Sequence, residues 1–271
     1  MPTLRVNGVD LHYETAGDGP PLLFLHGLGS STRDWEFQMA EFAQSHRVIA
    51  MDVRGHGHSA KPPGPYTVKL FSQDVVALLR ALNAVPAHIV GLSMGGMIAF
   101  QMAVDSPEAV RSLVIVNSGP AMILRTFSQR LLIRSRFAII RLFGMRTLGR
   151  MVAGPLFPKP EQAQLRQRFM AQIGGNDPRA YRASLRALIG WSVADRIGQI
   201  RCPVLVVASD QDYTPVEWKR LYASRIPGAV VAVLKDSRHA APMDQAGQFN
   251  RIVRQFLAAP SSSMPIESLA G

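Results

Sequence analysis

The chain has 271 residues, 47% of them hydrophobic and 18% charged, a mixture that buries a sizeable core and excludes disorder by composition. Its net charge of +11 is concentrated: residues 121–201 hold 15 Lys and Arg against 3 Asp and Glu, and the remainder is close to neutral. A single cysteine, Cys202, excludes an internal disulfide and a cysteine cluster for zinc or iron–sulfur, and reads as a small buried hydrophobe. No 18-residue apolar run free of charge occurs, and the first residues lack the signal-peptide pattern, so a cytoplasmic chain without a membrane span is expected.

Residues 4–6 and 9–14 flank Asn7-Gly8, a pair that tolerates the positive φ of a tight turn, and predict an opening β-hairpin. Apolar runs at 22–25, 47–51, 88–90, 112–116, 203–208 and 229–234 have the length of buried strands. Segments 33–43, 68–83, 94–105, 215–225 and 244–258 carry apolar residues three and four apart and predict helices. The alternation implies an α/β fold with a mainly parallel sheet flanked by helices. Between 118 and 200 it stops. Arginine-rich helical stretches at 125–143, 161–173 and 178–191 are broken there by Gly144, Gly154-Pro155, Pro158, Pro160 and Gly174-Gly175. A helical cap inserted at 120–200 is expected, dividing the core into 1–119 and 201–259. The polar, proline-bounded stretch 260–271 reads as a disordered tail.

Gly91-Leu92-Ser93-Met94-Gly95 matches G-x-S-x-G, directly after one predicted strand and directly before a predicted helix. So sharp a turn strains the serine backbone, and glycine on either side avoids a Cβ clash. Ser93 is therefore the candidate nucleophile, with the amino-terminal N–H groups of the following helix aimed at the reacting carbonyl. A serine hydroxyl needs a base, and imidazole titrates in the right range. Of the seven histidines, His12, His46, His56, His58 and His88 sit in or beside strands and turns, and His26 opens a loop after a strand. His239 follows the last predicted strand, at the same carboxyl edge of the sheet as Ser93, and is the best base. A carboxylate must fix its tautomer. Asp210 and Asp212, after the strand ending near 208, can both serve. The order serine, acid, histidine is the one expected for an α/β hydrolase and differs from two other triad folds.

Together with His26-Gly27-Leu28-Gly29, Asp52 to Ser59, Asp212-Tyr213-Thr214-Pro215 and His239-Ala240-Ala241-Pro242, these motifs make the chain resemble the α/β-hydrolase superfamily, in its serine esterase and lactonase branch. The resemblance runs from residue 26 to 242. The family's acid loop, glycine-x-x-aspartate-x-x-proline, lays the acid on Asp212. Its His-Gly-x loop implies an oxyanion hole formed by the backbone N–H groups of Leu28 and Met94, and makes His26 a loop-shaping residue. Two departures stand out: Ser209 and Arg238 occupy positions where the family often has glycine. Relatives that cleave carbon–halogen bonds or epoxides carry aspartate at the elbow, so Ser93 argues against both. The resemblance implies hydrolysis of an ester or lactone without metal or cofactor. Carbon–carbon hydrolysis, thioester cleavage and perhydrolysis use the same triad, and a non-catalytic ligand-binding module is the alternative from another class.

Phe127, Phe143, Phe157 and Trp191, with Met122, Leu124 and Leu156, are candidates for a substrate pocket or for simple packing of the cap. The arginines Arg130, Arg134 and Arg141 cluster on one side of a helical wheel, while Arg136, Arg146 and Arg150 lie broadly opposite, which is not a clean membrane-binding face. Such a cap suits small anionic acids or an acidic acyl carrier protein presenting a tethered acyl group; a solvated basic surface without a dedicated partner is the plainer reading. Nucleic-acid binding has no reader motif to support it.

Overall fold

The computed structural model describes residues 2–258; the tail expected at 260–271 lies outside the described residues. Among the described residues an eight-stranded sheet runs in the order β1 (Thr3–Val6), β2 (Val9–Ala16), β4 (Arg47–Met51), β3 (Pro21–Leu25), β5 (Ala87–Leu92), β6 (Val110–Val116), β7 (Val204–Ser209) and β8 (Val230–Leu234). β1 and β2 form the expected antiparallel hairpin, with Asn7 and Gly8 both at positive φ. β2 meets β4 antiparallel, and every later pairing is parallel.

The parallel strands are near-continuously buried, as a sheet covered on both faces requires. Alternate residues serve opposite faces. Leu23, Ile49, Ile89 and Ile115 pack toward α2 (Val68–Ala81) and α3 (Met94–Asp105). Phe24, Val90, Val114 and Val207 pack with Trp35, Phe42 and Phe249, beside α1 (Glu36–Phe42) and α8 (Ala246–Ala258). The strand order turns outward on either side of β3 and β5, and a crevice opens at the carboxyl ends of strands around such a switch point.

Between β6 and β7 the chain forms α4 (Phe127–Leu156), α5 (Ala163–Gly174) and α6 (Pro178–Leu188). Thr126 caps α4 by accepting from the Gln129 N–H, and Asp177 caps α6. The predicted break at Gly144 is a kink, with φ of 76° and room around the missing Cβ, and the helix continues through Pro155. The two ends of this excursion are stitched together: Met122 N–H donates to Trp191 O, Gly190 N–H to Met122 O, and Val193 N–H to Pro120 O. Its interior, including Phe157, Phe169, Ile173 and Tyr181, packs onto Leu28 and Ala240, which lie in loops at the carboxyl edge of the sheet. Among the described residues no helix is long and apolar enough to cross a membrane.

Candidate active site

Ser93 stands between β5 and α3 with φ 53° and ψ −112°, a conformation rare for a residue with a side chain. The surroundings hold it there. Its N–H donates to Val116 O (3.0 Å), and its carbonyl accepts from Ser118 Oγ (2.6 Å) and from the Met97 N–H (3.1 Å). A Cβ on Gly91 would lie 2.4 Å from Gly95 backbone, and one on Gly95 would lie 2.1 Å from Leu25 O, so the glycines of the motif are demanded by contact. The N–H groups of Leu28 and Met94 donate to no acceptor among the described residues. A Cβ on Gly27 would meet Ser93 Cβ at 3.6 Å, which places the Leu28 loop against the elbow.

His239 Nδ1 lies 2.7 Å from Asp212 Oδ1. A carboxylate can only accept, so the imidazole donates through Nδ1, and Nε2 is the ring nitrogen that Asp212 does not engage. The Asp212 side chain is wholly buried. Burial pushes its carboxyl up, but the hydrogen bond and charge of His239 and the Lys219 ammonium outweigh this and hold it well below the usual carboxylate range. Asp210 faces elsewhere. Its two oxygens accept the N–H groups of Asp236 and Ser237, both at 3.0 Å, and so fasten the turn that leads to His239. No hydrogen bond joins Ser93 Oγ to His239 among the described residues; such bonds are often long until substrate is bound.

Other expected residues fall into different roles. His26 is buried, its imidazole pushed down to about 4 by desolvation; its ring bridges Gly27 O and the Val53 N–H, so it shapes the loop. Cys202 has its thiol pushed up to about 11 by burial and is no nucleophile at neutral pH. Phe127 and Phe143, candidates for a pocket or for packing of the excursion, are 76% and 66% exposed on α4, because that helix turns Ile133 and Ile140 inward. Phe157 is buried against Phe169 within the helical excursion. Trp191 donates from Nε1 to Gln101 Oε1 (2.7 Å) and pins the excursion to α3. Among the described residues no three His, Cys, Asp or Glu side chains group to hold a metal ion.

Three residues of the site escaped sequence reasoning. Tyr213 stacks on His239 with ring centroids 4.1 Å apart. Asn117 hydrogen-bonds to Ser209, Arg238 and His239 and so joins the loops that carry Asp212 and His239. Lys219 on α7 (Val216–Ala223) donates to Asp212 Oδ2 at 2.6 Å, with both side chains fully buried. For Lys219 a signal existed: it shares the spacing of Tyr222, Ala223 and Ile226, the buried stripe, and a charge on such a stripe needs a partner.

The two departures from the family pattern are also accounted for. Ser209 is fully buried and its Oγ accepts from Asn117 Nδ2 (2.8 Å) and meets Ser237 Oγ (2.9 Å), so it braces the acid loop. Arg238 donates its backbone N–H to Asp244 Oδ2 (2.6 Å) and its guanidinium to Pro155 O (3.3 Å), tying the histidine loop to α4.

The α/β hydrolase family model matches residues 22–252. Among proteins of known sequence, the chain is 28% identical over 261 residues to 3-oxoadipate enol-lactonase 2 of Acinetobacter baylyi, covering 94% of this chain and 96% of that one. It is 33% identical over 270 residues to a putative carbamate hydrolase, RutD, of Variovorax paradoxus, covering 93% and 97%. Among solved structures, the enol-lactonase of Burkholderia xenovorans superposes with a TM-score of 0.88 at 26% identity, over 95% of this chain and all of that one. Est816, described as an N-acyl homoserine lactone degrading enzyme, superposes with a TM-score of 0.80 at 31% identity, over 94% and 100%. With the elbow, the sheet order and the matched length agreeing, the chain belongs to the α/β hydrolase family.

Proposed function

We propose that the chain is a cofactor-independent serine hydrolase of carboxylic esters, lactones included, acting through an acyl-serine intermediate. The observation that carries this reading is the buried Asp212 hydrogen-bonded to His239 Nδ1 at the edge of the sheet where Ser93 occupies its strained turn. His239 Nε2 takes the proton of Ser93 Oγ as that oxygen attacks the ester carbonyl. The N–H groups of Leu28 and Met94 receive the oxyanion. Collapse of the intermediate expels the alkoxide, which His239 protonates; in a lactone the leaving group stays tethered to the acyl chain. His239 then takes a proton from water, whose oxygen attacks the acyl carbonyl, and returns that proton to Ser93 Oγ as the acyl–serine bond breaks and the carboxylic acid departs. Residues 120–200 serve as the cap over a core formed by 1–119 and 201–259, a reading supported by the packing of Phe157 and Tyr181 against Leu28 and Ala240. That two similar proteins are described as an enol-lactonase and as an N-acyl homoserine lactone degrading enzyme supports a lactone or ester substrate for this chain.

The test is hydrolysis of p-nitrophenyl esters of increasing acyl length, beside a lactone and an aryl carbamate. Ser93→Ala, His239→Ala and Asp212→Asn should each lose roughly 10²-fold or more in kcat, as removal of triad members does elsewhere. Asp210→Asn should keep most of the activity, since Asp210 holds a turn and not the imidazole. Equal losses in Asp210→Asn and Asp212→Asn would remove the assignment of the acid, and failure of a phosphonate to label Ser93 would remove the nucleophile.

A further inference from the structure

Lys219 has no task in the reaction just described. Its ammonium is fully buried and donates to two oxygens, Asp212 Oδ2 at 2.6 Å and the Thr214 carbonyl at 2.9 Å. Orientation of the carboxylate does not need a cation, because Thr214 Oγ1 already donates to the same Oδ2 at 2.5 Å. A buried ammonium is costly unless paired, and its counter-ion here is the proposed triad acid itself. What the lysine adds is charge. An acid–imidazole pair at rest carries −1, whereas Asp212, His239 and Lys219 together carry none.

The other groups around the pair do not supply that charge. Tyr213 stacks on His239, with Tyr181 and Arg136 of the helical excursion beyond it. Tyr222 donates its hydroxyl to Ser118 O. Asp210 is occupied by the Asp236 and Ser237 N–H groups, Asp244 accepts the Arg238 N–H, Arg238 reaches Pro155 O, and Lys159 pairs with Asp236. Lys219 is the cation that touches Asp212 among the described residues.

Building on the triad reading, we propose that Lys219 is a positioning residue that sets the charge of the acid–imidazole pair: its ammonium neutralises Asp212 through Oδ2 and weakens the carboxylate's pull on a second imidazole proton. The resting base therefore stays unprotonated, and able to activate Ser93, further into mildly acidic solution than a lone acid–imidazole pair would. Lys219 touches neither Ser93 nor the reacting bond, so its signature is a displaced pH profile and not merely a lower rate.

The experiment is the rate of Ser93 labelling by a fluorophosphonate across the acidic and neutral range, which requires no knowledge of the substrate. Native protein, Lys219→Met and Lys219→Gln are compared, with Ser93→Ala and His239→Ala as controls and chemical unfolding to verify the fold. Removing a cation this close to the pair should move the acid limb of labelling toward higher pH by about one unit in both lysine variants. Lys219→Gln keeps an N–H donor, so it separates charge from hydrogen bonding. An acid limb unmoved in Lys219→Gln, with labelling lowered evenly at every pH, overturns the proposal in favour of a structural lysine. Failure of both variants to fold does the same. Labelling that is insensitive to His239→Ala overturns the triad reading first, and this proposal falls with it.

Discussion

The carboxamide of Asn117 spans three segments of chain at the end of β6. Its Oδ1 accepts the Ser209 N–H (2.9 Å), while Nδ2 donates to Ser209 Oγ (2.8 Å), Arg238 O (3.1 Å) and His239 O (3.0 Å). One planar group thus fixes the acid loop relative to the histidine loop, from a residue itself at φ 44°. Its donor end faces only acceptors, so Asn117→Asp, an isosteric change, turns a carboxylate oxygen onto two carbonyls and should be worse than truncation. We expect Asn117→Ala to cost about 2–3 kcal/mol from orphaned buried partners, and Asn117→Asp to cost more near neutral pH. Urea unfolding checks both; an Asn117→Asp chain as stable as the native one would refute the network's role. Nothing local in the sequence announces Asn117, since its partners lie 92 to 122 residues away. Ser93 was legible for the opposite reason: strand, turn, glycines and helix are contiguous, and the constraint on each comes from its neighbours.

Elements were legible where packing follows local periodicity, and less so where tertiary contacts redraw the ends. The segment expected as one helix at 33–43 begins as a 3-10 turn, Thr32–Trp35, before α1, and the helix expected at 244–258 is preceded by a separate short turn, Ala241–Asp244. Periodicity reveals a stripe but not which neighbour it meets, so the sequence left open whether aromatic residues of α4 line a pocket or pack the excursion, and Phe127 and Phe143 are exposed. The 3-10 turn is also where α5 docks. Gln172 donates to Ser30 Oγ (2.6 Å) and to Asp34 Oδ1 (3.1 Å), Ser30 donates to Asp34 Oδ2, Arg168 pairs with Glu36, and Asn176 donates to Gly29 O (2.7 Å). Burial raises the Asp34 carboxyl to about 6, with the Ser30 and Gln172 hydrogen bonds only partly opposing it. The sign follows. Between the ordinary carboxylate range near 4 and about 6 the folded chain holds this proton more tightly than the unfolded chain. Asp34 therefore favours folding most at the acidic end, and its ionisation subtracts stability as pH rises, by about 2–3 kcal/mol once above 6. The stability difference between native protein and Asp34→Asn should accordingly change across that window and level off above it. A difference independent of pH would show that Asp34 does not titrate there.

At the scale of the whole molecule, family membership and the uneven charge were both legible, but the sequence could not say where that charge would face. No Asp or Glu occurs between Glu108 and Glu161, while nine Lys and Arg do. Three of the excursion's cations find partners across the joint to the core, through Lys159–Asp236, Arg168–Glu36 and Arg196–Asp105. Arg130, Arg134, Arg141, Arg146 and Arg150 are exposed and have no carboxylate within ion-pair reach among the described residues. Exposed pairs are individually weak, but unpaired charges of one sign add into a field that extends about a Debye length, roughly 10 Å at moderate salt. The excursion that carries this field packs on the Leu28 and Ala240 loops beside the proposed site, and we expect the field to act on what enters there. An anionic ester, such as a p-nitrophenyl monoester of a dicarboxylic acid, should be drawn in, and a neutral ester of equal length should not. Raising salt from about 20 to about 300 mM should lower kcat/KM for the anionic ester by roughly threefold to tenfold while leaving the neutral ester nearly unchanged, because screening removes attraction without altering the chemistry. Charge reversal at Arg134 and Arg141 should flatten that dependence without lowering turnover of the neutral ester. Parallel salt curves for the two esters would mean that the positive charge faces away from the substrate's path.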